Sequence, residues 1–213
     1  MKYLGRLFSA DGGDTALEAR ITSAWRQFWA YKETLLEKTL SQKRRLALLE
    51  QLVQPVLLFS TESLELTQTQ VQRIKVTRRS MQRKVMGCWF HGEGDTDMSS
   101  EEELSFAEWM QLSTNMVEDT LDDLGCRRWE EEAMRRKWRW TGHVVRRGGD
   151  WPFLKILRWS ADGRKRSRPG APRKRWASSF VDFLGNGWEE AAKDREDWRG
   201  WAKEAVGMFI QAA

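Results

Sequence analysis

The feature of this chain that most restricts its fold is the return of apolar side chains every three or four residues through most of its length. In the first run Leu17, Ile21, Ala24, Trp25, Phe28, Trp29, Leu35 and Leu36 fall on one side of a helix that turns by about 100° per residue. Thr15 and Glu18 have the spacing of a capping box at its start. A second helix is predicted from Ser41, with Leu46, Leu49, Leu52, Val53, Val56 and Leu57 on its face. Pro55 should kink or end it, because proline removes a backbone donor and clashes with the preceding turn. A third helix opens at Thr67, carries Val71, Ile74, Met81 and Val85 inward and Arg73, Lys75, Arg78, Arg79, Arg83 and Lys84 elsewhere, and ends at Gly87. Further helices are predicted over residues 101–113 and 130–147. The last quarter is helical again, through Trp176, Phe180, Phe183 and Leu184, then Trp188, Ala192, Trp198, Trp201, Ala205 and Phe209. Only residues 2–9 read as a strand.

The fold class expected is therefore mainly α: a helical bundle preceded by one short β-strand, a linker, and a basic helical tail. The chain of 213 residues divides in this reading into residues 1–90, an acidic linker and helix at 91–125, and a Trp-rich tail at 126–213. Within that tail, residues 160–175 interleave basic side chains with Gly163, Pro169, Gly170 and Pro172, a pattern that excludes a regular helix and favours an extended arm.

Charge separates the same regions. Residues 92–125 carry eleven acidic side chains and no Lys or Arg, whereas residues 127–176 carry seventeen basic and five acidic ones. The net charge of +5 alone would say little; its concentration in the tail favours phosphate-bearing partners. In the arm, Arg164, Lys165, Arg166, Arg168, Arg173, Lys174 and Arg175 suit phosphate neutralisation, and equally an import receptor that places the protein in the nucleus. In the preceding helix Arg135, Arg136, Lys137, Arg139, Arg146 and Arg147 alternate with Trp138 and Trp140. Those two tryptophans lie about 200° apart, so one is core and only the other is placed to stack a base. His143 is read as a structural or phosphate-contacting side chain, since His91, His143, Cys88 and Cys126 lack zinc-ligand spacing. No metal site is expected. The thirteen tryptophans follow either from selection for stacking surfaces or from a G-rich coding sequence. Trp188, Trp198 and Trp201 are spaced as a helix core face. The acidic run is read as a solvated helix face and linker, with masking of the basic arm the alternative. Two distant cysteines and no signal-peptide pattern fit a reduced, intracellular setting, nuclear or cytoplasmic. The longest apolar run, residues 53–59, is far shorter than the roughly 20 residues of a membrane helix.

Four strings, met in order, resemble the carboxy-terminal thumb and tail of non-LTR retrotransposon (LINE-type) reverse transcriptases. Lys2, Tyr3, Leu4 and Gly5 resemble the strand that closes the palm and grips the primer end. Gln54-Pro55-Val56-Leu57-Leu58-Phe59 with Thr61-Glu62 resembles the thumb helix string. Arg139-Trp140-Thr141-Gly142-His143-Val144-Val145-Arg146 resembles the tail motif in which a Trp precedes a Gly-His pair. Arg168-Pro169-Gly170-Ala171-Pro172-Arg173-Lys174-Arg175-Trp176, with Asp194-Arg195 and Trp198-Arg199, resembles the basic arm and terminal helix. Phe59-Ser60 departs from the family's usual Tyr-Gly, and residues 92–123 are unusually acidic. The resemblance implies a thumb-like bundle that contacts RNA or DNA template or primer and docks on the palm and fingers of a longer polymerase. It implies no cofactor in this chain, the Mg2+ ions of nucleotidyl transfer belonging to the palm. That chemistry needs carboxylates converging on two ions about 4 Å apart. Asp122-Asp123 follows Leu121 in a helix-like stretch, without the strand-turn-strand setting such a site needs. The expectation is a chain that binds nucleic acid and does not polymerise alone. The competing expectation is a helical protein-interaction module or a retroelement remnant.

Overall fold

A computed structural model describes residues 13–89, 105–149 and 176–211, the helical positions Leu154 and Leu157, and the backbone of residues 2–3 and 6–7. The architecture is mainly α. The single strand expected over residues 2–9 is instead two short strands, β1 (Lys2–Tyr3) and β2 (Arg6–Leu7), paired antiparallel with Lys2 opposite Leu7 and Tyr3 opposite Arg6. The helices are α1 (Asp14–Ala30), α2 (Lys32–Leu35), α3 (Gln42–Leu52), α4 (Gln54–Leu57), α5 (Gln68–Met86), α6 (Phe106–Asp123), α7 (Trp129–Arg147), α8 (Ser178–Leu184), α9 (Trp188–Ala191) and α10 (Arg195–Gln211).

Local chemistry sets most of these boundaries. The Ser41 hydroxyl accepts the Arg44 amide at 3.3 Å, capping α3. Thr67 and Gln70 cap α5 reciprocally: the Thr67 hydroxyl accepts the Gln70 backbone N–H at 3.2 Å and the Gln70 side-chain oxygen Oε1 accepts the Thr67 backbone N–H at 3.0 Å. Pro55 separates α3 from α4, standing in the first turn of α4 where its missing N–H costs no hydrogen bond. Gly87, at φ +83°, closes α5. α1 begins at Asp14, one residue before the expected Thr15, and Glu18 is engaged by Arg73 of α5.

Two differences from the sequence reading are informative. α6 spans Phe106–Asp123 where 101–113 was expected: a capping box between Ser105 and Glu108 sets its start, and Ser113 lies inside it. Ser113 also serves a second helix: its hydroxyl accepts the Arg83 Nε at 2.9 Å, with Thr114 taking the neighbouring guanidinium nitrogen. Ser60 is the other. It adopts left-handed φ +64°, ψ 15°, a conformation that glycine enters without steric cost.

The chain forms two compact units. One comprises residues 17–59 and 72–129. Its buried apolar side chains include Leu17, Phe28, Leu46, Leu49, Leu57, Ile74, Met81, Val85, Val117, Leu121 and Trp129. Within it an arginine cluster is built around one carboxylate. Glu118 receives Arg78 at 2.7 Å, Arg79 at 2.6 Å and Arg128 at 2.8 Å, while Arg128 also meets Asp122 at 2.9 Å. Arg78 is fully buried. Burial alone would raise the Glu118 carboxyl. The Arg78 charge and the hydrogen bonds from Arg79, Arg78 and Arg128 outweigh it and hold the group at about 2.

The other unit comprises residues 1–16, 60–71 and 130–213. Its centre is aromatic. Trp138 meets Trp198, Phe180 and Phe183 at centroid separations of 4.6, 4.8 and 5.9 Å, and Phe180 meets Trp188 at 5.3 Å. Each such pair adds about 0.5–1.5 kcal/mol beyond the area it buries. The Trp198 Nε1–H donates to the Trp138 carbonyl at 2.8 Å, which satisfies a buried indole. Trp188 and Trp198 are thus core, as their spacing predicts, while Trp201 sits at the rim, 40% exposed and edge-on to Phe183 at 6.2 Å.

Candidate nucleic-acid interface

α7 has two distinct sides. Ala133, Met134, Lys137, Trp138, Thr141, Val144 and Val145 are buried. Arg136, Arg139, Trp140, His143 and Arg147 return at steps of three and four residues to the other side, within an arc of roughly 100°. Arg139, His143 and Arg147 are exposed, and Arg136 and Trp140 are half-buried. Of the tryptophans 200° apart, Trp138 is the core residue and Trp140 stands on the outward side.

The Gly142–His143 pair acquires a physical account here. A Cβ on Gly142 would lie 2.6 Å from the Trp198 indole and 2.8 Å from an Arg146 guanidinium nitrogen, so only glycine lets that ring seat against α7. The next residue, His143, faces out. One step in sequence separates the position that admits the core from the position that meets solvent.

The predicted basic residues of α7 divide accordingly. Lys137 is a correction to the sequence reading: it is 2% exposed, ion-paired with Glu65, hydrogen-bonded to Ser179 at 2.9 Å and set over the rings of Trp176 and Phe180. A lysine so enclosed serves packing, and its charge is withheld from any partner on the surface. Arg135 lies beside the stripe and approaches Glu131 at 4.0 Å. Arg136 meets Glu132 at 3.2 Å. Arg146 donates to the Ala192 carbonyl at 2.8 Å; burial lowers its pKa, with repulsion from Arg195 and Arg199 in the same direction and Asp194 opposing. Arg195 and Arg199 are exposed cations that the sequence reading did not place in a site. Leu4 and Gly5 of the primer-grip-like string and the whole arm from Arg164 to Arg175 lie outside the described residues. Lys2 and Tyr3 form β1.

Beside the stripe is a solvent-open cavity of about 530 Å3 walled by Glu62, Glu132, Arg136, Arg139, Trp140 and His143. Trp140 is held edge-on by Trp176 at 5.4 Å, and the Trp176 Nε1–H donates to the Glu62 carbonyl at 3.1 Å. Glu62 lies far upstream, in the short 3-10 turn Thr61–Ser63, and the sequence reading held it as part of the thumb-like string and not of this site. Among the described residues no three His, Cys, Asp or Glu side chains converge as metal ligands. Asp122 is tied to Arg128, and Asp123 is exposed. No described helix is long and apolar enough to cross a membrane.

The arrangement is that of a helical unit presenting cations and an indole on one helix face. The chain is similar to an uncharacterised transposon-derived protein of Caenorhabditis elegans, 26% identical over 207 aligned residues that cover 92% of this chain and 67% of that protein. That similarity supports a transposon-related origin. No protein-family model matches the chain, and no solved structure matches it.

Proposed function

We propose that this chain is a nucleic-acid-binding segment of a non-LTR retrotransposon reverse transcriptase, holding RNA or DNA template or primer without carrying nucleotidyl transfer. The observation that carries the reading is the outward stripe of α7, where Arg136, Arg139, His143 and Arg147 flank the indole of Trp140. Cations along a backbone track with an interposed aromatic ring suit a single strand, whose phosphates and bases they engage together. The arm at residues 164–175 would extend that track and carry a nuclear-import signal. The palm and fingers of a longer polymerase are the protein partner the resemblance implies. The similarity to a transposon-derived protein supports the retroelement part of the reading.

Fluorescence anisotropy of labelled single-stranded RNA and duplex DNA across a salt series tests it. With six or more phosphate contacts, affinity falls by about a thousandfold or more between about 50 and about 200 mM salt. Neutralising Arg164 to Arg175 together with Arg139 and Arg147 abolishes binding. A second reading, a helical protein-interaction module, is favoured by Leu112 and Met116 on α6, 53% and 52% exposed and four residues apart. It predicts no salt-steep binding of either nucleic acid.

A further inference from the structure

We propose that the cavity beside α7 is a receptor for one unpaired nucleobase bearing an exocyclic amine, a deepening of the nucleic-acid reading on which it rests. Its walls mix charge in a way a phosphate site does not. Arg136, Arg139 and His143 line the cavity together with Glu62 and Glu132. Two carboxylates repel a phosphate, but they accept N–H donors from the edge of a base. Trp140 adds the π-surface on which a base stacks. A cavity of about 530 Å3 has room for a single base.

The parts are fixed in place before any ligand arrives. Arg136 holds one oxygen of Glu132 at 3.2 Å. Trp176 meets Trp140 edge-on and donates to the Glu62 backbone carbonyl, so one side chain ties the ring to the turn that carries Glu62. No hydrogen bond or ion pair occupies the Glu62 carboxylate among the described residues, which leaves it as the acceptor for the incoming amine. Arg139 and His143, both exposed at the rim, are placed to take the adjoining phosphate.

Cytosine and uracil are the discriminating pair, equal in size and differing where cytosine has an amine and uracil a carbonyl. Anisotropy titrations of the full chain with labelled oligocytidine and oligouridine of about 12 nucleotides, within the site sizes of single-strand binders, read the preference. The expected result is roughly tenfold tighter binding of oligocytidine, by the discrimination a carboxylate exerts on an amine. Glu62→Gln, isosteric and partly exposed, removes that preference, because a neutral amide donates to a uracil carbonyl as readily as it accepts from a cytosine amine. Glu132→Gln reduces it, and Trp140→Ala weakens both oligomers. Equal affinity for the two oligomers, or a preference untouched by both Glu62→Gln and Glu132→Gln, overturns the base receptor while nucleic-acid binding stands. Absence of binding by either oligomer at about 50 mM salt, where phosphate contacts are strongest, overturns both readings.

Discussion

The two arginine-bearing helices, α5 and α7, use the same side chain for opposite ends. In α5, Arg78 is enclosed and bound to Gln82 and Glu118, and Arg83 is bound to Ser113 and Thr114. In α7, Arg139 and Arg147 reach solvent, and the single buried cation is Lys137. The difference lies in what the chain supplies as counterpart: α6 brings a carboxylate and two hydroxyls to α5, whereas the outer side of α7 meets solvent and an open cavity. An arginine count therefore predicts nothing about binding until partners are assigned. In one unit the guanidinium of Arg78 is an internal strut, and in the other those of Arg139 and Arg147 stand at the surface.

Glu118→Ala should break this comparison most sharply. It leaves the buried Arg78 without its carboxylate and costs about 3–5 kcal/mol by urea denaturation. Arg139→Ala, at an exposed position, should stay within about 0.5 kcal/mol of the parent chain. Gly142→Ala should follow in size, destabilising by about 1–3 kcal/mol as the new methyl displaces the Trp198 ring from its seat.

Acid provides a third test. The Glu118 carboxyl is depressed in the folded state to about 2 from its ordinary 4.5. A group shifted down contributes stability above its unfolded value and loses it as pH falls through the folded one. Stability should therefore decline between about pH 4.5 and about pH 2, and urea midpoints of a Glu118→Gln chain should decline less over that window. The stripe on α7 should respond to salt instead. Arg139→Gln and Arg147→Gln should each reduce the slope of log affinity against log salt by about 0.7 for a single strand, with melting temperature unchanged. The smallest effect should come from Ser60→Gly, which relieves the left-handed backbone at Ser60 and gains at most about 1 kcal/mol.

Helix by helix, the sequence was most legible where the determinant was local. Ser41, Thr67, Pro55 and Gly87 act within a few residues of themselves, and each marks a boundary in the fold. The turn of about 100° per residue likewise separates Trp138 from Trp140 without knowledge of any neighbour. Determinants that arrive from elsewhere in the chain were not legible. Nothing in the residues around Arg78 or Arg83 announces Glu118 or Ser113 some thirty to forty residues later. Arginine and lysine are so seldom enclosed that the default reading puts them on the surface, and Lys137 was misplaced for that reason. Ser113 stood at the predicted end of a helix, and its use, as an acceptor for a buried guanidinium, belongs to another helix. The place of Glu62 at the cavity was not legible for the same cause, because its neighbours there lie on α7.

The narrow seat at Gly142 also makes this molecule a clock. In the segment from Trp138 to Arg147, substitutions at Trp138, Gly142 and Val145 strike the interior, while those at Arg139, His143 and Arg147 leave it intact. Copies selected only to remain folded would drift at the second set and stay fixed at the first. Copies released from all selection would drift at both sets alike, and copies retained for binding at neither. The substitution pattern across these ten residues in diverged genomic copies therefore records which of the three histories each lineage has had.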